Sequence, residues 1–482
     1  MNLSTRHGGS ILVSAGSTVR KGAACAAVAV VVLSGCQNTA SLLRGKSDAP
    51  PPAPPAPIVT PLPGAAPPSA VSAQSVPRLP EPQIAAPPAA PPPVLTLRPP
   101  AEEAGKVRVG LLLPLSGPQA ALGRALLDGA LLALFQVAGP DYVLVPLDTE
   151  GTPTGAAAAA GAAIEERVEL VIGPVFGTGA AAAAPILLGA GINMLPLSND
   201  SAVAEPGVYL SGLLPETQIA RVVRYAVSRG NRSFAALLPD SALGTRVRSA
   251  LQNTLSELGF PAPRVAFFSP TTDGIVRAVR AIGDYDARRG ALLAQRKALQ
   301  GSDDEVSRRT LDRLKNLETF GPIPFDSLVV GASGTELTEV AAQLGNFDID
   351  TKRVRLLGLS SWIGEGTGRE PSLVGAWFAV EPQGQTVEYK ARFREVFGSE
   401  PHPLSASSFD LTALSAILAT RAEGARFGRD VLTESSGFVG ISGLFRFLPS
   451  GLPERGLEVR EVEPWGNKTI DPAPETFLRG SN

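Results

Sequence analysis

Strand-length apolar runs alternate with helix-length amphipathic ones along most of this chain. KVRVGLLLPL, Lys106 to Leu115, reads as a buried strand entering a turn, and Leu122, Leu126, Ala130, Ala133 and Val137 then recur at helical spacing. YVLVPLDT predicts a second strand, and an alanine-rich helix is expected from Gly155 to Arg167. VELVIGP and INMLPLS are two more strands with a helix between them. A second series begins near Pro215, with SFAALLPD, RVAFFSP, SLVVGAS, RVRLLGLS and LVGAWFAV as its strands. Apolar strands separated by crossover helices predict parallel sheets covered on both faces. The span from Glu103 to Asn482 is long for one domain and natural for two α/β lobes with a cleft between them.

Upstream the pattern is different. From Pro50 to Pro100 proline and alanine dominate, no apolar periodicity survives, and no core can form. Proline fixes φ and removes a donor, so extended polyproline II is the expected state, with a reach of roughly 150 Å when fully drawn out. Ahead of this arm, Arg6, Arg20 and Lys21 flank an apolar stretch from Gly22 to Leu33, the layout of a secretion signal. It ends in Leu33-Ser34-Gly35-Cys36, which resembles a bacterial lipobox; that resemblance implies cleavage before Cys36 and lipid attachment to its thiol. Gln37 after the cysteine favours the outer membrane by the same resemblance.

Composition then narrows the chemistry. The other cysteine, Cys25, lies within the expected leader, so the mature chain has neither a free thiol nor a disulfide. The leader carries three positive charges and no acid, so its loss takes the formal net charge from −2 to −5. A mildly acidic protein lacks the basic footprint of nucleic-acid binding. His7 goes with the leader, which leaves His402 and excludes a histidine metal cluster or a thiolate zinc site. A Ser-His-Asp triad is limited to His402, Asp410 and one of Ser405, Ser407 or Ser408, with no nucleophile-elbow motif to support it. No catalytic residue, metal or cofactor is expected.

Within VELVIGPVFGTGAAAAAP, the run Gly177-Thr178-Gly179-Ala180-Ala181-Ala182 formally matches a dinucleotide fingerprint, and Asp200 stands at ribose-binding distance. The match follows the third strand of its lobe rather than the first, so a cleft-lining loop is the better reading. VRVGLLLPLSGPQAALG, ELVIGPVFGTGAAAAAPIL, GINMLPLSND and FDLTALSAIL resemble, in order and spacing, the leucine-binding-protein family of type I periplasmic binding proteins. The resemblance implies two Rossmann-like lobes joined by a multi-strand hinge. It also implies Ser116, Gly177, Thr178, Ser198, Asn199 and Trp362 as cleft residues, with helix N-termini suited to a carboxylate. The pocket departs from the family pattern at Leu197 and Asn199, lacks the aromatic-glycine pair in PDSALGT, and carries Trp362 and Glu365 in LSSWIGE.

Between Gly283 and Ile323 lies a charge-rich insertion that reads as a helical hairpin. Its first helix is expected to end near Leu299, before Gly301. Its second is expected to start with a capping box of Ser302 and Glu305, with Val306, Leu311, Leu314 and Leu317 as an apolar stripe. Together with PFDSLVV, RLLGLSSW, VGAWFAV and GLFRFLPSGLPERGLEV, this layout resembles the penicillin-binding protein activators, lipoproteins that stimulate peptidoglycan synthases. The domains expected are a signal peptide at 1–35, a lipidated arm at 36–103, the binding-protein-like body at 104–470 and a tail at 471–482. Lobe 1 takes 104–213 with 381–440, and lobe 2 takes 214–380 with 441–470. The resemblance implies a non-enzymatic, outer-membrane lipoprotein facing the periplasm, held to the membrane by its lipid alone, whose partner is a class A penicillin-binding protein. The alternative is an ABC-transporter receptor for an amino acid or similar small polar solute.

Overall fold

A computed structural model describes residues 105–477, apart from 303 and 365. The leader, Cys36, the Pro/Ala arm and Glu365 lie outside the described residues. The first lobe opens with β1 (Val107–Leu113), α1 (Ala120–Val137), β2 (Tyr142–Asp148), α2 (Pro153–Glu165), β3 (Leu170–Ile172), α3 (Gly177–Gly189) and β4 (Asn193–Leu195). Its four strands are all parallel, in the order β2-β1-β3-β4. β1 is one of the two interior strands, and Val109, Leu111, Leu112 and Leu113 are fully buried between helices on the two faces. Helix α2 begins two residues before the expected Gly155, because Thr152 accepts the Gly155 amide at 3.0 Å and Pro153 suits the first turn. At the end of β3, Gly173 has φ +90°, and a Cβ there would lie 2.2 Å from the Leu112 carbonyl oxygen. Only glycine lets the chain turn this close to β1.

The second lobe contains α4 (Pro215–Ser228), β5 (Phe234–Pro239), α5 (Ala242–Glu257), β6 (Arg264–Phe268), α6 (Thr272–Ile282), α7 (Tyr285–Leu299), α8 (Glu305–Leu314), β7 (Ser327–Val330), α9 (Gly334–Asn346), β8 (Arg355–Gly358) and β9 (Trp377–Val380). The chain then returns to the first lobe through α10 (Gly384–Phe397), α11 (Ser405–Ala419), α12 (Arg429–Leu432), β10 (Phe438–Gly440), β11 (Gly443–Phe447) and β12 (Pro453–Arg455). Finally β13 (Glu458–Glu463) and β14 (Gly466–Asp471) rejoin the second sheet, whose order is β14-β13-β9-β8-β7-β5-β6. This sheet is parallel from β6 to β9, and β13 and β14 add antiparallel strands at its edge.

Two sequence expectations are corrected here. The small antiparallel sheet β10-β11-β12 was not anticipated, and it packs Phe445 and Phe447 into the core of the first lobe. The chain therefore returns to the second lobe only after Arg455, rather than at 441. In the insertion, α7 and α8 do form a hairpin, but the cap of α8 is Asp304, whose carboxylate accepts the Ser307 amide at 2.9 Å. Ser302 and Glu305 make no capping box, since Glu305 pairs instead with Arg309 one turn on. Of the expected stripe only Leu314 is buried, while Val306 and Leu317 are exposed. What fixes the hairpin is Arg296, which donates to the carbonyls of Leu314, Lys315 and Leu317 at the end of α8.

Candidate functional site

Ser116, Thr178 and Asn199 follow the C-terminal ends of β1, β3 and β4, and all three are exposed. They share the carboxyl edge of the first parallel sheet, where open α/β sheets bind their ligands. The edge is organised by Asp148, at the end of β2. Its Oδ1 accepts the amides of Leu115 (2.9 Å), Ser116 (3.2 Å) and Glu150 (2.8 Å). Burial is the largest single influence and opposes its charge, but the Ser116 hydroxyl and these amides together prevail and hold the carboxyl below its usual range. The sequence reading did not single out Asp148, although it closes a strand predicted to end there.

The loop before α3 brings Gly177 to the first position of that helix, with Thr178 beside it. The space next to Gly177 is taken by Asp200. A Cβ on Gly177 would lie 2.6 Å from Asp200 Oδ2 and 2.8 Å from its Cβ. Asp200 is itself anchored, since its amide donates to Ser198 Oγ (3.0 Å) and its Oδ1 accepts the Ala202 amide (3.1 Å). The chain thus places its own carboxylate at the positive end of α3. Ser198 is buried and its hydroxyl is committed to this loop, so it shapes the edge rather than facing a ligand. Asn199 is held from across the cleft, where Arg246 of α5 donates to its carbonyl at 2.9 Å and grips Glu216 at 2.8 Å through two nitrogens.

Trp362 is a correction. It is fully buried in the core of the second lobe, and its indole N–H donates to the Ala332 carbonyl at 2.9 Å. Gly358 is the residue that makes room for it, since a Cβ there would fall 2.2 Å from the indole ring. The ring is a core element and does not line the cleft. The sole triad the sequence allows is also not assembled. His402 Nδ1 accepts the Leu404 amide, whereas the Asp410 carboxylate accepts the amides of Ile441 (2.7 Å) and Ser442 (3.0 Å). Ser405 Oγ donates to the His402 carbonyl rather than to its ring.

The lobes are joined by three crossovers, at 211–214, 381–383 and 456–457. One side chain links the first two. The buried guanidinium of Arg455 donates to the Ser211 carbonyl on the first, and its Nη1 sits 2.6 Å from Glu381 Oε1 on the second. It borders the third in sequence and lies 5.5 Å from the centre of the Phe445 ring. Burial pushes the Glu381 carboxyl up, and Arg455 pulls it back in part.

Two α/β lobes, three crossovers and a carboxyl-edge cleft define a type I periplasmic binding protein fold. The family model described as "Periplasmic binding protein" matches residues 106–447, and the chain belongs to that family, one of binding proteins. A putative branched-chain amino acid ABC transporter from Rhodospirillum rubrum is similar in structure, with a TM-score of 0.60 at 16% identity, over 76% of this chain and 100% of that one. The C-domain of LpoA from Haemophilus influenzae, a regulator of PBP1A, gives a TM-score of 0.54 at 16% identity, over 75% and 99%. A substrate-binding protein from Desulfitobacterium hafniense in complex with Leu gives 0.53 at 16% identity, over 76% and 100%. At these identities the likeness is one of fold. An uncharacterised protein of Rickettsia prowazekii is 22% identical over 183 residues, 38% of this chain; the chain spans about half (49%) of that relative's length.

Proposed function

We propose that this chain is a non-catalytic, lipid-anchored protein of the periplasm that regulates a peptidoglycan synthase through protein contact. The observation that carries the reading is Asp200 against Gly177. A free amino acid would bring its α-carboxylate to the N-terminus of α3, where it meets like charge at short range instead of an open set of donors. The Arg246 guanidinium that faces the same edge is already spent on Glu216 and the Asn199 carbonyl. The regulator of PBP1A among the structural neighbours has the same fold, and the charged α7–α8 hairpin offers surface outside the cleft. Lipidation at Cys36 and residence at the outer membrane belong to the same reading, because a long Pro/Ala arm then spans the distance to an inner-membrane synthase.

The test is co-purification of the full, lipidated chain with a class A penicillin-binding protein. Binding should survive Thr178→Ala and Asn199→Ala, and shortening the arm should abolish stimulation in cells while leaving thermal unfolding unchanged. The receptor reading has its own support in the exposed Ser116, Thr178 and Asn199. It predicts a saturable rise in unfolding temperature with one amino acid, about 2.7 kcal/mol at a hundredfold excess over Kd. Such a rise, lost on Thr178→Ala, replaces the regulator with the receptor.

A further inference from the structure

On the side of the first lobe formed by α10, α11 and β10, two adjoining cavities of about 590 and 390 Å³ share Gln385, Phe409 and Ile441 and make one groove. Its two walls differ in kind. One wall is a single face of α11 and its C-terminal end: Asp410, Ala413, Leu414, Ile417, Leu418 and Arg421 recur at intervals of three and four. The other is β10 and the residue after it, which touch the groove through the consecutive positions Phe438, Val439, Gly440 and Ile441. A strand that presents one face to a cavity contributes alternate residues, so four in succession mean that the groove runs along the strand's edge. β10 is the edge strand of its sheet, paired only with β11 among the described residues. Its other side meets the groove, and an unpaired strand edge is a template for another strand.

The floor and rim suit a chain rather than a small solute. Ile417 and Val439 both line the groove, one from each wall, and are 58% and 70% exposed. The Arg421 guanidinium stands at one end and the Glu388 carboxylate at the other, and neither side chain has an ion-pair partner among the described residues. The position of β10 is firmly set. Asp410 accepts the Ile441 and Ser442 amides, and it packs so closely on Gly440 that a Cβ there would lie 2.5 Å from its carboxylate.

We propose that the groove between α11 and β10 takes an extended peptide segment of a partner protein, which adds to β10 as a further strand. The segment carries apolar side chains at alternate positions, an acidic residue at the Arg421 end and a basic one at the Glu388 end. Main-chain hydrogen bonds supply affinity, and the α11 wall supplies specificity. The proposal is independent of which protein donates the segment and of whether the cleft binds a solute.

The probe is a phage-displayed library of random dodecapeptides selected on the full chain, with recovered peptides remade and their binding read by fluorescence anisotropy. Enriched peptides are expected to alternate apolar residues and to carry an acidic flank. Ile417→Asp, at an exposed position that leaves the fold intact, and Val439→Pro, which interrupts the edge, should each weaken binding tenfold or more. Arg421→Glu should select against the acidic flank, and Thr178→Ala, in the cleft, should change nothing. Failure to enrich any peptide, or binding indifferent to Ile417→Asp, overturns the proposal. So does a dimer of the chain in sedimentation that Ile417→Asp dissociates, since the occupant is then a second copy. None of these results bears on synthase co-purification, so the two readings fail separately.

Discussion

Replacing Arg455 by methionine keeps most of the side-chain volume and removes the cation that links the first two crossovers. Its loss leaves Glu381 beside an apolar chain and the Ser211 carbonyl without its donor. Removing one partner of a buried pair costs about 3–5 kcal/mol. Arg455 is almost fully buried but Glu381 is about one-quarter exposed, so water relieves part of the penalty and about 3 kcal/mol is expected. Replacing both residues, as Arg455→Met with Glu381→Gln, removes the stranded charge and should recover about half of that. Urea unfolding of the four members of this cycle, with slopes compared, measures the coupling. pH supplies an independent reading with a fixed sign. Burial raises the folded-state pKa of Glu381, so the folded protein holds its proton more tightly than the unfolded chain does. The contribution of this group is complete below the ordinary carboxylate range and is lost as pH rises through the raised value. Without Arg455 the value climbs further, so the mutant should lose more stability than the native protein between weakly acidic and neutral pH. A cost below about 0.5 kcal/mol, or a double mutant whose cost is the sum of the singles, refutes the clamp.

Other positions give sharper local outcomes. Asp200→Asn removes the negative charge at the start of α3 and should cost about 0.5–1 kcal/mol in urea unfolding, a loss that shrinks in high salt. Gly173→Ala forces a Cβ against the Leu112 carbonyl at positive φ; a loss of about 3 kcal/mol or more, or failure to fold, is expected by circular dichroism. Trp362→Phe leaves the Ala332 carbonyl unpaired and a gap in the second core, for about 2–3 kcal/mol, yet should not alter any ligand response measured at the cleft. Asp304→Ala should speed hydrogen exchange at the Ser307 amide, whereas Ser302→Ala should leave it unchanged.

Hydrophobic periodicity located the parallel strands of both lobes, though not the antiparallel strands near the C-terminus, because burial of a local segment leaves its mark at spacings of two or of three and four. VRVGLLL became an interior strand of the first sheet for that reason, and the charged insertion became a hairpin whose first helix ends at Leu299. Loop positions were legible as far as chain order reaches, so Ser116, Thr178 and Asn199 each follow the C-terminal end of a strand of one sheet. Periodicity is silent about which distant residues come together. Trp362 stands in a loop rich in small residues, and only the packing of β8 and Gly358 puts its ring inside the core. Asp200 has the spacing of a cofactor ligand, and only the adjacency of β3 and β4 turns it onto Gly177. The capping box failed because two acids and a serine compete for one helix start, and backbone geometry chose Asp304. Arg455 looks like any strand-end arginine until sheet order carries it to Ser211, 244 residues away in the chain. The sequence by itself determined which segments are buried. The tertiary structure decided which charges face one another, because charge pairs between distant segments depend on the order of strands in space, and that order leaves no period in the sequence.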